Sequence, residues 1–385
     1  REQVFASSSA VSYGHFAMIE PETRRRVQAS REGRKVLAWG AAQGQARFGG
    51  ILVAGGTGSG MGVMLEGRPK GFVPCAPLSD ETLYGAVVNR FKAAARAFGH
   101  RKMYPLVFMV SGKSIEWTLR YCETSPDLEG QRDRVLIVRQ RDFPGSLRGQ
   151  GRAFKSAPGR LNLGGFGHGD AFDYVLDPVR NVTGLVWDKA AGRFSREVMV
   201  VEWLRDFGVE YVQYMDLDNV HKPVADAHFV GEHVLSRDRK TEETTHRAHI
   251  SLWLVAKTAW DEARRTFTDR LGNVIEVDGY QEAVGYRNAS DAIAASPWGD
   301  PSIRLVTLES LKGSRDIQPL LGQKEDVDET GTKVLIDKFE APSDDKSRYG
   351  ALVAFGERDD AFVPIKKPAD VPVAQKKQSD RWKVV

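Results

Sequence analysis

The sequence predicts an α/β protein organised around a mixed, mostly parallel β-sheet, and three observations carry that prediction. Apolar runs at Gly50–Ala54, Tyr104–Val110, Val135–Arg139, Glu210–Met215 and Ile250–Val255 have the length and composition of buried strands. Amphipathic stretches at helical spacing lie between several of them, so strand and helix alternate as in βαβ units. The first run ends in glycines and the fourth in acids, which puts ligand-binding residue types at strand ends, where such sheets bind ligands.

In chain order, residues 1–46 read as a helical, peripheral extension, with Arg24-Arg25-Arg26 on a solvated face. A core follows over 47–310. In it, Asp80–Phe98 carries Leu83, Val87, Phe91, Ala94 and Phe98 at helical spacing and stops at Gly99. Ser114–Tyr121 sets Ile115, Leu119 and Cys122 on one face, and Arg196–Phe207 reads as a short amphipathic helix ended by Gly208. Residues 311–385 are richer in Asp, Lys and Pro. They read as a small α+β extension with a strand-like pair, Lys333–Ile336 and Gly350–Phe355, and a polar end.

Composition narrows the function. The 385 residues are 41% hydrophobic and 28% charged, the profile of an ordinary globular protein. A net charge of +4 without a basic stripe argues against a nucleic-acid partner. No apolar run is long enough to span a membrane. Two cysteines, Cys75 and Cys122, are too few for a disulfide framework and fit a reducing, cytoplasmic setting. No signal peptide is recognisable, and the opening Arg1 leads us to expect that the native start is missing. The sequons at Asn181 and Asn288 are read as chance matches.

The stretch "ILVAGGTGSGMGVMLEGRPKG" (51–71) runs from a strand into a glycine-rich loop. Glycines let backbone N–H groups approach phosphates that side chains would hold off. Lys70 adds a mobile point charge for phosphate oxygens. Met61 after Gly60 breaks the P-loop pattern, and Met61 also stands where a dinucleotide fingerprint needs its third glycine. The loop is therefore read as a nucleotide site of another kind. In "VEYVQYMDLDNV" (209–220), Asp216 and Asp218 lie two apart at a strand's end. That suits a Mg2+ shared with substrate phosphates, with Asp218 the chosen ligand. "GGFGHGDAF" (164–172) has the composition of a loop that closes on a ligand. His246 and His249, with His233 nearby, lack a recognisable third ligand, so no zinc site is expected.

These stretches, in this order, resemble the eukaryotic-type UDP-sugar pyrophosphorylases. The family's G-G-x-G-T-x-M/L-G and P-K correspond to Gly55–Gly62 and Pro69-Lys70. "GVEYVQYMDLDNVHKPVADAHFVG" (208–231) is similar to the N-acetylglucosamine branch, and "GHGD" (167–170) to the glucose and broad-specificity branches. "RQRDFP" (139–144), "VDGYQEAVGY" (277–286) and "RDDAFVPIKK" (358–367) match further family segments. The resemblance runs from about residue 36 to about residue 370.

It implies a GT-A-like Rossmann nucleotidyltransferase core, and a reaction in which UTP and a sugar 1-phosphate give UDP-sugar and pyrophosphate with Mg2+. Gly55, Gly56, Gly58 and Ser59 would hold the triphosphate, with Lys70 on its outer oxygens. Gln140 would contact uracil, and Gly167 and His168 would complete the nucleotide site. Lys257 would pair with the sugar phosphate, and Lys366 would add charge from the C-terminal side. Asp170, Asn219 and Glu282 would face the sugar, and Asp218 the metal. The long gap between Asp170 and Asp218 suggests an inserted hairpin near Leu185–Phe194.

Ser59 and Gly60 replace the family's threonine and its neighbour, often arginine, and Gly285 stands where the family has a sugar-gripping glutamate. The asparagine-bearing segment of the N-acetylglucosamine branch is not found downstream. The identity of the sugar, the strictness for UTP and the oligomeric state therefore stay open. Two other readings were weighed. A GT-A glycosyltransferase has no need of a triphosphate-binding Pro69-Lys70-Gly71. A catalytically inactive relative has no need to keep Lys70, Asp218, Lys257 and Lys366.

Overall fold

A computed structural model describes residues 11–19, 21–56, 68–75, 81–147, 150, 152–157, 159–161, 163–165, 169–219, 222–238, 250–257, 266–268, 273–276, 298–299, 301–311, 320–327, 330, 332–340, 349–355, 365 and 368–382. The chain opens with β1 (Val11–Ile19), α1 (Pro21–Ala29) and α2 (Arg31–Gln45). Then come β2 (Phe48–Val53), α3 (Leu83–Ala97), β3 (Leu106–Val110), α4 (Ile115–Thr124) and β4 (Val135–Arg139). A hairpin, β5 (Thr183–Asp188) and β6 (Arg193–Met199), leads through α5 (Val200–Asp206) to β7 (Tyr211–Asp216) and α6 (Ala227–Asp238). The rest of the main sheet is β8 (Ile250–Ala256), β9 (Thr266–Thr268), β10 (Asn273–Glu276), β11 (Ile303–Thr307) and β12 (Tyr349–Phe355), with a two-residue strand, Trp298–Gly299, paired to β8, and α7 (Asp370–Trp382) follows.

The strands stand in the order β6-β5-β4-β3-β2-β7-β11-β8-β12-β1-β10-β9. The sheet is mixed, with a parallel core: β4, β3, β2 and β7 all run one way, and antiparallel strands extend it at both sides. Its faces bury separate apolar clusters. Leu52, Leu106, Phe108 and Val110 pack with α3 residues such as Tyr84 and Phe91. Ile51, Val107, Met109 and Val138 pack with Val200 and Leu204 of α5 and with Phe172. Burial on both faces is why the parallel strands read as near-continuous apolar runs rather than alternating ones.

Local chemistry sets the helix ends. The Thr82 hydroxyl accepts from the Gly85 N–H at the start of α3. Gly99, with φ +80°, closes the same helix, as its position after Phe98 foretold. Gly208, with φ +72°, does the same after α5. Gly50 has a different task, since an ideal Cβ there would lie 2.3 Å from the Phe91 ring. Its missing side chain lets α3 settle onto β2.

Three expectations need correction. Residues 11–19 form a strand, not a helix, and lie inside the main sheet, parallel to β12 and antiparallel to β10. A short apolar run fits either element, and here pairing with neighbouring strands decides. Residues 193–199 also form a strand, so the helix expected over Arg196–Phe207 begins only at Val200; the β5–β6 ladder claims the rest. The segments around Lys333–Ile336 and Gly350–Phe355 are strands but do not pair. The first, Lys333–Glu340, belongs to a small sheet with Leu320–Val327 and Ser146–Leu147, whereas β12 inserts between β8 and β1. The hairpin near Leu185–Phe194 is present. No helix among the described residues is long and apolar enough to cross a membrane.

If Gly50 is the clearance for Phe91, Gly50→Ala should cost about 1–3 kcal/mol of stability by overpacking. In urea unfolding the midpoint should fall at constant slope.

Candidate functional site

After β4 the chain crosses back over β3 and β2 to place β7 on the far side of β2. The strand order thus reverses between β2 and β7, and ligands of open α/β sheets bind at the carboxyl ends beside such a reversal. The register pairs Leu52 with Met215 and Val53 with Asp216, so both strands end at one level. The glycine loop and the acidic turn therefore leave the sheet side by side.

Gly55 and Gly56 are the described part of the glycine loop. The strand before them is held by Ala54 N–H donating to the Met109 carbonyl at 2.8 Å and by the Ser114 hydroxyl donating to the Ala54 carbonyl at 3.4 Å. Gln140, buried at the end of β4, lies directly against Gly55: a Cβ there would stand 2.6 Å from Gln140 Nε2. A side chain at 55 would therefore displace the Gln140 amide, which reaches the loop from the next strand but one.

Lys70 returns to this edge in a 3-10 turn, Lys70–Phe72, introduced by the extended Pro69. Two contacts fix its backbone. Gly71 abuts the Tyr84 ring, which a Cβ would meet at 2.2 Å, and Phe72 packs edge-on against Tyr84, Trp117 and Tyr121. The side chain, 10% exposed, extends to Asp218 with Nζ to Oδ1 at 2.6 Å.

Of the two carboxylates at the end of β7, Asp216 is already neutralised. Lys222, among the most buried side chains, donates to Asp216 Oδ1, to the Asp216 carbonyl at 3.3 Å and to the Ser302 carbonyl at 3.2 Å. The turn beyond is stapled from below. Gln213 Nε2 donates to the Pro223 carbonyl at 2.6 Å, and its Oε1 accepts from Ala225 N–H at 3.0 Å. Gln45 Nε2 donates to the Ala225 carbonyl at 3.0 Å, and Arg90 Nη1 to the Lys222 carbonyl at 2.9 Å. Asp218 keeps its carboxylate 31% exposed, and Ile365 N–H donates to its backbone carbonyl at 2.7 Å. A Mg2+ ion that keeps waters and substrate phosphates in its shell needs only one or two protein carboxylates, and this arrangement offers one. No group of three His, Cys, Asp or Glu that could form an all-protein metal cage exists among the described residues.

Lys257 follows β8, which runs in the same direction as β7 across β11, so it leaves the sheet at the same edge as Asp218. It is 5% exposed and so is no solvated surface lysine. Asn219 is buried beside Asp218. Asp170 is fully buried, and Arg141 engages both its oxygens: N–H to Oδ2 at 2.7 Å, and Nε to Oδ1 at 2.6 Å. Burial lifts its carboxyl above the usual range, while the Arg141 cation and its hydrogen bonds pull the other way. Of the remaining expected site residues, Gly58, Ser59, Gly167, His168, Glu282 and Lys366 lie outside the described residues, as do Gly60, Gly285, His246 and His249. His233 is a buried core residue between the Ser251 and Thr307 hydroxyls. Burial pushes the Cys75 thiol up to about 12 and raises that of Cys122 as well, so neither is poised as a nucleophile.

Sequence reasoning missed Lys222, Arg90 and Arg141. Lys222 sits in the very turn that was singled out, and Arg141 directly follows Gln140, but lone cations in loops carry no periodic signal.

No protein-family model matches the chain, and no curated protein sequence does. Solved structures do match. A UDP-N-acetylglucosamine pyrophosphorylase from Trypanosoma brucei, in complex with an inhibitor, matches with TM-score 0.68 and 22% identity over 99% of this chain and 75% of its own. A UDP-glucose phosphorylase from Trypanosoma brucei gives 0.65 and 14% over 96% and 70%. A mutant UDP-glucose pyrophosphorylase from Leishmania major, in complex with UDP-glucose, gives 0.58 and 14% over 87% and 66%. The architecture is thus that of an α/β nucleotidyltransferase. More narrowly, the chain has the fold of the UDP-sugar pyrophosphorylases, the family that its motifs resemble.

With Lys222 removed, Asp216 would keep a largely buried charge without its cation. Lys222→Met should lose about 3–5 kcal/mol in urea unfolding. Adding Asp216→Asn should recover part of that loss, and a double-mutant cycle reads the coupling directly.

Proposed function

We propose that the chain is a UTP:sugar-1-phosphate uridylyltransferase that makes UDP-sugar and pyrophosphate. One observation carries the reading: Lys70 and Asp218, assigned separately to leaving pyrophosphate and to metal, meet at 2.6 Å beside the glycine loop at the strand-order reversal. The similar solved structures support it through their fold.

In this reading the Gly55 and Gly56 backbone cradles the triphosphate, and Gln140 holds the base against the loop. The sugar phosphate oxygen attacks the α-phosphorus in line and pyrophosphate departs. A phosphate monoester is largely dianionic at neutral pH, so its attacking oxygen needs no general base. The work left to the protein is alignment and charge neutralisation. Lys70 would follow the charge onto the departing pyrophosphate, and Lys257 would steady the sugar phosphate, with Lys366 adding positive charge. Asp170, Asn219 and Glu282 are the residues assigned to the sugar; the full burial of Asp170 against Arg141 argues against its direct contact. Asp218 is the residue that would hold Mg2+, which supplies further neutralisation of phosphate charge when bound.

The test is pyrophosphate release from UTP and Mg2+ with glucose, galactose, N-acetylglucosamine and glucuronic acid 1-phosphates. Release should depend on one or a few of these sugars and stop on chelation. In Lys70→Ala and Asp218→Ala kcat should fall roughly a hundredfold or more. Turnover unaffected by both substitutions would sink the assignment. UTP binding without release for any sugar would favour an inactive relative, and hydrolysis or transfer from UDP-sugar alone would favour a glycosyltransferase.

A further inference from the structure

We propose that the Arg141–Asp170 ion pair is a positioning device for nucleobase selection, one that locks Gln140 so that uracil is read and cytosine refused. The inference rests on the uridylyltransferase reading and deepens it.

The argument starts from the backbone around Gln140. Its own N–H donates to the Val110 carbonyl at 2.8 Å, as the last rung of the β3–β4 ladder. The peptide unit on its other side ends in the Arg141 N–H, which donates to Asp170 Oδ2 at 2.7 Å. Gln140 is thus held on both sides, once by a strand and once by a carboxylate at the start of the helical turn Ala171–Val175. The Arg141 guanidinium then closes on Asp170 Oδ1, with Nε at 2.6 Å and Nη2 at 2.6 Å, and lies 4.9 Å from the centre of the Tyr174 ring. Downstream, Asp142 Oδ2 accepts from Gly112 N–H at 3.0 Å and from Arg139 Nη2 at 2.9 Å. Residues 139–142 are pinned throughout.

Base selection by a glutamine makes such pinning necessary. A side-chain amide offers one acceptor and one donor edge. Uracil presents an N3–H donor beside the O4 acceptor, and cytosine presents the N3 acceptor beside an amino donor. An amide turned by half a rotation reads one as well as the other. Discrimination therefore requires a fixed amide, and Gln140 is 6% exposed with its head group against the bare backbone of Gly55. A backbone shift at 140–141 would free that head group to turn.

Asp170 is suited to the task and to no direct contact with sugar. It is fully buried, and Arg141 donors engage both oxygens. With none of its surface exposed, it offers no face to a sugar hydroxyl.

The test is steady-state kinetics and calorimetric binding with UTP and CTP on the wild type, Asp170→Asn and Arg141→Lys. In both variants KM for UTP should rise about tenfold, and the preference for UTP over CTP should fall by a similar factor. Their kcat and their KM for the sugar 1-phosphate should stay within about threefold. Arg141→Lys keeps the charge but loses the planar fork, and it decides the question if Asp170→Asn does not fold. A raised KM for the sugar phosphate with an intact UTP preference would overturn the proposal and return Asp170 to the sugar. A lowered melting temperature with unchanged preference would overturn it too, leaving the pair a structural brace. A wild type that binds no nucleotide would overturn the uridylyltransferase reading itself and this inference with it, a result distinguishable because it precedes any variant.

Discussion

Everything at the site hangs on the parallel pairing of β2 with β7. That register sets Val53 beside Asp216, so the glycine loop and the acidic turn leave the sheet from neighbouring strand ends. A slip of one residue would turn every side chain of one strand to the opposite face and send the acidic turn away from the glycines. The register is therefore locked from the α3 side of the sheet. Gly50 admits Phe91 there, and beside it on β7 the Gln213 side chain reaches forward to grip the turn at Pro223 and Ala225. Ala225 adopts a left-handed φ of +50°, uncommon for a residue with a Cβ, and hydrogen bonds on both its N–H and its carbonyl hold it there.

Charge is distributed with equal economy. Two carboxylates stand at the end of β7, and each has a lysine, but the two pairs differ in kind. Lys222 and Asp216 form a largely buried pair that also satisfies two backbone carbonyls, and removing either partner would strand the other. Lys70 and Asp218 form a pair with one member about a third exposed, in a setting where water and ligand compete for both. The first pair builds the turn, and the second is available to chemistry. In the proposed reaction Lys70 and Asp218 hold each other in place until phosphate and metal offer each a better partner.

The sequence made the parallel core legible because strands buried on both faces leave long apolar runs; Val135–Arg139 was located to the residue. The glycine loop and the acidic turn were legible because their residue types are costly without a purpose. What escaped was whatever depends on long-range pairing. Residues 11–19 gain their strand identity from β12, more than three hundred positions away, and the apolar pattern alone does not announce that. The partners of Asp170 and Asp216 escaped for the same reason in side-chain form. A carboxylate in a motif looks available until the fold supplies its cation.

The three basic side chains that govern the site illustrate how geometry chooses the residue. Arg141 meets one carboxylate and one ring, and a planar fork satisfies both from a fixed position. Lys222 meets the Asp216 carboxylate, the Asp216 carbonyl and the Ser302 carbonyl at once, a set that a compact ammonium group with three rotatable donors can serve. Lys70 has Asp218 as its partner among the described residues and a backbone clamped by Tyr84 and Phe72, so only the tip of its side chain is at liberty. A charge that must accompany a departing group needs that combination: an anchored root, a flexible stem and a partner it can surrender.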